Sequence, residues 1–198
     1  KLVNRPALAD YYADRYQRAE IIFRFVRDRV QYTPDIDQFH IEEFAQNADE
    51  MSATIQRDKT CRGDCEDMAV LLAVMYKGAG YRSAVVLAPS HTAALVYLPD
   101  YKRAGASLEL GGAPGWVWCE ATGRNNNLGW VPKRYTGVRL AAYEVSQETI
   151  RVPSRPSEPK TVVVEAERGM PIRLSPLMSV IAFMWFLSLL RRRRRRVN

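Results

Sequence analysis

One stretch, GDCEDMAVLLAVMYKGAG at residues 63–80, constrains the fold of this chain more than any other. Asp64 is a favourable helix N-cap, and the carboxylates that follow it suit the positive end of a helix dipole. Four apolar residues then recur at helical spacing: Met68, Leu71, Leu72 and Met75. Gly78 and Gly80 end the pattern. The stretch therefore predicts a helix with one face in the core, preceded by Gly63 as a permissive turn residue.

Cys65 lies at the start of this predicted helix, before the apolar run begins. Free backbone N–H groups and the helix dipole stabilise a thiolate at such a position. The neighbouring acids Asp64, Glu66 and Asp67 act in the opposite direction, so a nucleophilic cysteine here would need a histidine partner. The alternative interpretation is a small apolar filler, because free cysteine is often buried.

The order of the predicted elements indicates an α+β domain, with helices first and strands later. Helices are predicted at residues 7–30, from 41 to a little beyond 44, at 50–56 and at 64–78. Strands are predicted at residues 81–88, 91–98 and 116–122, with a loop over 101–115 that is rich in Gly, Ala and Pro.

The C-terminal part has a different composition, and residues 1–152 are the expected folded domain. Residues 153–169 predict a linker or stalk, although KTVVVEAE at 160–167 also fits one more strand. Residues 170–190 form an apolar run long enough to span a membrane. Residues 191–198 contain six arginines, which a buried helix would not normally end in. We expect a single-pass membrane helix, with a cytoplasmic basic tail and the domain outside.

The net charge of +7 is concentrated at one end of the chain. Residues 191–196 supply six of these charges, which leaves about +1 for the rest. Nucleic-acid binding is therefore not expected, because it would call for basic residues across a face of the domain. Three cysteines are too few for a disulfide scaffold, but a single Cys61–Cys65 or Cys61–Cys119 bridge is compatible with the sequence.

Three residues can be combined into one chemical site: Cys65, His91 and Glu120. His91 opens a predicted strand, and Glu120 ends another after a Trp-Val-Trp run. A nucleophilic cysteine needs a base that takes its proton, and the base needs a third group that fixes its tautomer. The arrangement requires His91 and Glu120 to be adjacent across the sheet. His40 has no comparable neighbours and is expected to be structural or exposed.

These segments resemble the transglutaminase-like superfamily of papain-type cysteine enzymes. GDCED and its apolar helix, then HTAALV, then WCEAT follow the order of that family, and FRFVRDRVQYTPD resembles its entry segment. The resemblance covers about residues 15–132, and GDCED is similar to the bacterial transglutaminase-like cysteine proteinases. It implies that Cys65 is the nucleophile, His91 the base and Glu120, with Thr122, the orienting acid.

The resemblance also implies an antiparallel sheet against which the central helix packs, with the nucleophile at the helix N-terminus. Asp64, Asp67 and Trp118 are expected to bind substrate or support the site, although helix capping is the favoured role of Asp67. Trp116, Trp118 and Trp130 either line a cleft or pack in the core, with packing favoured. The backbone N–H of Cys65 is the expected oxyanion donor. The sequence departs from the family pattern in two places. Glu120 stands where aspartate is commoner, and no tryptophan follows His91 closely.

The expected function is that of a membrane-anchored cysteine enzyme acting on amide or peptide bonds of a protein or peptide. Hydrolysis is favoured over cross-linking, and a catalytically silent module used in surface assembly is the alternative. A zinc site made of Cys61, Cys65, Cys119 and His91 lacks the usual paired spacing. We therefore expect no metal and no cofactor.

Overall fold

The computed structural model describes residues 13–146 and 159–166, in which the longer helices precede the sheet. The helices are α1 (Arg15–Arg29), α2 (Asp35–Phe39), α3 (Ala48–Asp58) and α4 (Cys65–Gly78). Two short strands, β1 (Val30–Tyr32) and β2 (Cys61–Gly63), pair in parallel. The other strands are β3 (Ser83–Ala88), β4 (His91–Tyr97), β5 (Ala106–Leu110), β6 (Ala113–Cys119), β7 (Arg139–Glu144) and β8 (Lys160–Ala166). A 3-10 helix, Lys133–Tyr135, lies between β6 and β7.

Helix α4 is the central helix that the sequence predicts. It packs against α1, α3 and the start of the sheet, with apolar residues on most of its surface buried. The Tyr76 hydroxyl donates a 2.9 Å hydrogen bond to the Ala19 carbonyl of α1, which fixes the two helices to each other. Gly80 has a positive φ of 93° just beyond the helix, a backbone conformation that favours glycine.

Strands β3 to β8 form a closed antiparallel barrel in the order β3-β4-β6-β5-β8-β7. One core cluster lies between the helices and the sheet, and a second cluster includes Trp116, Trp118 and Leu95 from the barrel strands. Along β4 the side chains alternate, because Ala94 and Val96 join the helical cluster while Ala93 and Leu95 join the barrel cluster. Both faces of β4 are covered, which is why its sequence is continuously apolar.

The loop predicted over residues 101–115 is wrong for most of its length. Strand β5 and the first residues of β6 form a hairpin there, with Leu110 opposite Ala113. Its two-residue turn consists of Gly111 and Gly112, whose φ values of 58° and 79° suit glycine. The glycines that suggested a loop therefore make a tight turn between two strands.

The helix predicted from residue 41 is also wrong, since residues 41–47 contain no helix. Helix α2 lies earlier, directly after Pro34, and His40 ends it in the left-handed conformation with φ 59°. Phe44 is 43% exposed, and its backbone N–H donates a 2.5 Å hydrogen bond to the Asp35 carboxylate. The Phe44 N–H is therefore bonded to a side chain and not to a carbonyl within a helix. The helix predicted at residues 50–56 is confirmed as α3.

The region after residue 138 contributes two strands to the barrel. The sequence predicted nothing for β7, and it left residues 160–167 open between a strand and a stalk. Strand β8 pairs with both β5 and β7, so the sheet extends past the boundary expected at residue 152. Val162 and Val164 point into the barrel core, which explains the alternation of this segment.

The predicted membrane helix at 170–190 and the basic tail at 191–198 lie outside the described residues. Within residues 13–146 and 159–166, none of the helices has the length and apolar character needed to span a membrane.

Candidate active site

Cys65 is the first residue of α4, and Asp64 is its N-cap, as the sequence predicts. The fully buried Asp67 side chain accepts the Asp64 backbone N–H at 3.3 Å. The same carboxylate accepts the backbone N–H of Gln46 at 2.7 Å and its side-chain amide at 2.6 Å. Asp67 therefore both caps the helix and ties the loop before α3 to the cysteine.

Gly63 is required for space and not, as expected, for a turn. It ends strand β2, and it is not among the residues with a positive φ. A Cβ atom placed on Gly63 would lie 2.9 Å from the Asp67 carboxylate and 3.0 Å from a Met51 methyl group. The glycine in the GDCED segment thus leaves room for the side chain that anchors the helix start.

His91 and Glu120 are brought together by the pairing of β4 with β6. Ala94 lies opposite Cys119, and the same register continued places Glu120 opposite Ala93 and diagonal to His91. The His91 Nε2 atom lies 2.6 Å from the Glu120 Oε2 atom. Their side chains are 10% and 3% exposed, so this contact is shielded from water.

Glu120 accepts two further hydrogen bonds, from Thr122 Oγ1 to Oε1 at 2.5 Å and from Trp118 Nε1 to Oε2 at 3.3 Å. Burial by itself raises the pKa of Glu120. The hydrogen bonds from His91 and Thr122 and the attraction of His91 outweigh that effect, so the pKa lies below its ordinary value. Glu120, although longer than an aspartate, is therefore accommodated in the site as a charged hydrogen-bond acceptor.

Trp118 and Trp116 are buried in the barrel core, so Trp118 supports the acid instead of lining a cleft. Trp130 is 47% exposed and lines a cleft of about 520 Å³ beside His91 and Glu120. The other residues that line this cleft are Thr122, Gly123, Asn126, Pro132, Lys133 and Arg134.

Tyr135 is a site residue that sequence reasoning missed. Its ring stacks on His91 at a centroid distance of 6.0 Å and an interplanar angle of 4°, and on Trp118 at 5.7 Å and 24°. The Tyr135 hydroxyl donates to the Pro89 carbonyl at 3.1 Å. Tyr135 lies in a single 3-10 turn, where no periodic pattern exists that could have identified it.

Asn126 is a second residue that sequence reasoning missed. Its Nδ2 atom donates to the Glu120 carbonyl at 3.2 Å, and its own carbonyl accepts from Arg27 at 2.7 Å. A Cβ atom on Gly123 would lie 2.4 Å from the Asn126 Nδ2 atom. Gly123 and Asn126 together hold the end of β6 in place.

The Cys65 thiol is half-buried and donates to Glu66 Oε2 at 3.3 Å. Burial raises the pKa of Cys65 to about 12, and the Glu66 and Asp64 carboxylates raise it as well. The backbone N–H of Thr92, the residue after His91, makes a hydrogen bond to the thiol that lowers the pKa. Cys65 therefore lies at the start of β4, and its thiol is protonated at neutral pH unless a base acts on it.

Acidic side chains cluster around the same helix start. Oxygens of Asp35, Asp64 and Asp67 lie within 4.8 Å of one another, as do those of Asp35, Glu43 and Glu66. Burial raises the pKa of Asp35, and it raises that of Asp64 to about 8. These all-oxygen groups have the donor type that hard divalent cations take.

Neither of the two disulfide bridges that the sequence allowed is formed. Cys61, Cys65 and Cys119 are all free, so neither the Cys61–Cys65 nor the Cys61–Cys119 bridge is present. Cys61, Cys119 and His91 belong to none of the close groups of ligand atoms in the described ranges. Zinc coordination by these residues is therefore not supported by the arrangement.

A comparison with protein families agrees with this geometry. The model of the transglutaminase-like superfamily matches residues 6–133, which is more than half of the chain and includes Cys65, His91 and Glu120. The chain has no match among the curated proteins.

Proposed function

The chain belongs to the transglutaminase-like superfamily, and from this membership we propose a cysteine enzyme that cleaves or transfers amide bonds through Cys65, His91 and Glu120. The observation that carries the proposal is the 2.6 Å contact between His91 Nε2 and Glu120 Oε2. It sits where the backbone of β4 reaches the thiol at the N-terminus of α4. Nucleophile, base and orienting acid are thus supplied by one helix start and two paired strands.

The proton positions follow from the charge on Glu120. An ionised carboxylate accepts the N–H of Nε2, which leaves Nδ1 as the basic nitrogen of His91. Nδ1 takes the proton of the Cys65 thiol as the sulphur attacks the substrate carbonyl carbon. Because the pKa of Cys65 is about 12, the thiol is neutral at rest and this transfer accompanies attack.

The tetrahedral intermediate carries its negative charge on the former carbonyl oxygen, and the Cys65 backbone N–H at the helix start is the proposed donor to it. His91 returns the proton to the leaving nitrogen, the C–N bond breaks, and a thioester with Cys65 remains. Water or a second amine then attacks the thioester and regenerates the thiol. We favour water, because Trp130, Lys133 and Arg134 in the lining of the cleft beside His91 are exposed to solvent.

The test is cleavage of a proteome-derived peptide mixture, with new amino termini mapped by mass spectrometry. Wild-type chain should generate new termini that Cys65→Ala does not. A fluorescent primary amine added to the mixture separates the two fates of the thioester. Amine incorporation in place of new termini would make the enzyme a transferase, and the absence of both products would contradict the proposal.

A catalytically silent module is the second candidate, and the environment of Cys65 favours it. The thiol is hydrogen-bonded to Glu66, and its pKa is high. The rate of Cys65 alkylation by iodoacetamide, followed against pH, separates the candidates. A working His91 gives a rate that levels off near neutral pH, whereas a silent thiol gives one that keeps rising above pH 9. Cys61 and Cys119 are buried and serve as internal references.

We also propose that the domain works outside the cytoplasm on proteins or peptides, held to a membrane by residues 170–190. The support is sequence alone, namely an apolar run followed by six arginines. Positive charge next to a span is retained on the cytoplasmic side.

A further inference from the structure

The cleft beside His91 carries positive charge with which no side chain in residues 13–146 and 159–166 forms an ion pair. Lys133 and Arg134 line it, both are exposed, and neither forms an ion pair with any residue in the described ranges. Glu120 is the carboxylate that lines the cleft. Its two oxygens already form hydrogen bonds with His91, Thr122 and Trp118. An anion entering the cleft would therefore meet two cations that lack a partner of opposite charge.

The opposite side of the site is formed by acidic side chains instead of basic ones. Asp64 and Glu66 flank Cys65, and Asp35 lies against them. The Tyr32 hydroxyl is close enough to this group that, after burial, Cys65, Asp64 and Glu66 raise its pKa. Acidic side chains thus lie on the Cys65 side of the site, and basic side chains lie in the cleft beyond His91.

Arg134 is linked to the imidazole through one aromatic ring. Its guanidinium lies 4.7 Å from the centre of the Tyr135 ring, and that ring stacks on His91. Trp130 adds a flat apolar surface to the same cleft. A carboxylate held by Arg134 would consequently lie in the cleft that His91 also lines.

The direction of proton transfer indicates which half of a substrate occupies this cleft. In acyl transfer to a cysteine, the histidine gives its proton to the leaving amine, so the leaving half must lie on the histidine side. We propose, on the basis of the function above, that the cleft binds the leaving-amine half of the substrate through a carboxylate that pairs with Lys133 and Arg134. The carboxylate is an acidic side chain or the α-carboxylate of a terminal residue.

The size of the effect follows from the exposure of the two cations. Exposed charge pairs are individually weak and are screened by salt, so the preference for a carboxylate should be about 3- to 30-fold. It should fall as the salt concentration rises. Arginine adds directionality, because its planar fork matches a carboxylate with two parallel hydrogen bonds.

The experiment follows the indole N–H signal of Trp130 by NMR on the whole chain, with Trp130→Phe used to assign it. Three dipeptides are titrated: glycyl-glutamate amide, glycyl-glutamine with a free carboxyl terminus, and glycyl-glutamine amide. The first carries a side-chain carboxylate, the second an α-carboxylate and the third neither. A carboxylate dipeptide should shift the signal at about 3- to 30-fold lower concentration than the amide, and the two arms identify which carboxylate fits.

Lys133→Gln combined with Arg134→Gln should remove this difference, while Lys102→Gln combined with Arg139→Gln should keep it. The control pair removes the same charge from two exposed residues that do not line the cleft. Equal responses to all three dipeptides, or a preference that survives the cleft variant, would overturn the inference.

The outcome is separable from that of the proposed function. If carboxylate dipeptides are preferred at Trp130 but no Cys65-dependent cleavage is found, the binding site is supported and the proposed enzyme function is contradicted. Suppose instead that cleavage depends on Cys65 but the leaving products are enriched neither in acidic residues nor in free carboxyl termini close to the cut. That result would support the enzyme and contradict the binding site.

Discussion

The Tyr135 ring lies parallel to the His91 imidazole, with centroids 6.0 Å apart, and its hydroxyl is anchored on the Pro89 carbonyl. Pro89 precedes the turn at Ser90, whose φ is 55°, and His91 follows it. One tyrosine therefore contacts both the imidazole and the turn that leads into its strand. We infer that Tyr135 positions His91.

Tyr135→Leu should lower kcat by about 10- to 100-fold with little change in KM, because it removes the ring that orients the base. Tyr135→Phe keeps the ring and loses only the Pro89 contact, so it should retain most of the activity. The measurement is steady-state kinetics on a peptide that the wild type cleaves. Equal losses in the two variants would show that the hydroxyl, and not the stack, matters.

Cys65→Ala should abolish turnover while leaving the melting temperature nearly unchanged, because the side chain is only half-buried. Cys61→Ala and Cys119→Ala should keep most of the turnover, although both remove a buried sulphur and should lower the melting temperature. Product formation and thermal unfolding of the three variants check this. Full activity in Cys65→Ala would rule out the mechanism.

Glu120→Gln should lower kcat by about 10²- to 10⁴-fold with little effect on substrate binding, because an amide does not enforce protonation of His91 at Nε2. The hydrogen bonds from Thr122 and Trp118 end on different oxygens of Glu120, so the amide oxygen can keep one of them. The pH–rate profile is the informative measurement. Wild-type kcat in this variant would mean that Glu120 is structural.

The Glu120 carboxylate should also make the stability of the folded chain decrease at low pH. The pKa of Glu120 is lower in the folded chain than its ordinary value near 4.3. Its stabilising contribution is therefore complete above that ordinary value and is lost as the pH falls through the folded value. Glu120→Gln should remove this part of the acid sensitivity in melting curves taken between pH 7 and pH 2.

Asp64 should have the opposite effect on how stability changes with pH. Its pKa is raised to about 8, so the folded chain retains a proton that the unfolded chain releases above its ordinary pKa near 3.9. Unfolding then releases a proton between these values, and stability falls as the pH rises from about 4 to 8. Asp64→Asn keeps a good N-cap and should raise the melting temperature more at pH 8 than at pH 4. An equal change at both pH values would contradict the raised pKa.

The topology proposal is tested on cells that make the chain. Protease added to intact cells or spheroplasts should digest the domain and leave the arginine tail at residues 191–198 protected. Digestion of the tail with protection of the domain would reverse the orientation and place the enzyme in the cytoplasm.

The order of motifs was sufficient to identify the parts of the site, since Cys65, His91 and Glu120 come from a helix start and two strands with strong local patterns. Helix α4 and strands β3, β4 and β6 are apolar enough for periodicity to locate them. The contact between His91 and Glu120 was predictable as a requirement of the chemistry, whereas its distance depends on the register of β4 with β6.

Other features could not be predicted because their signals are tertiary. Strand β7 has only six residues, and Arg139, its first, is exposed, so no local pattern distinguishes it from a loop. Tyr135 acquires its role only when the segment after β6 folds back onto His91. Gly63 was predicted to be a turn residue, although it is needed because the Asp67 side chain occupies the space of its Cβ atom, and Asn126 has the same relation to Gly123.

Closure of the barrel by its last strand has a consequence for how the chain is made. Strand β8 is synthesised some fifty residues after its neighbour β5, and it inserts between β5 and β7. Until it emerges from the ribosome, two strands present open backbone edges, and the apolar interior around Leu108 and Trp116 is not enclosed. A nascent or truncated chain that ends at residue 152 would thus carry every residue of the candidate site and still be prone to edge-to-edge aggregation.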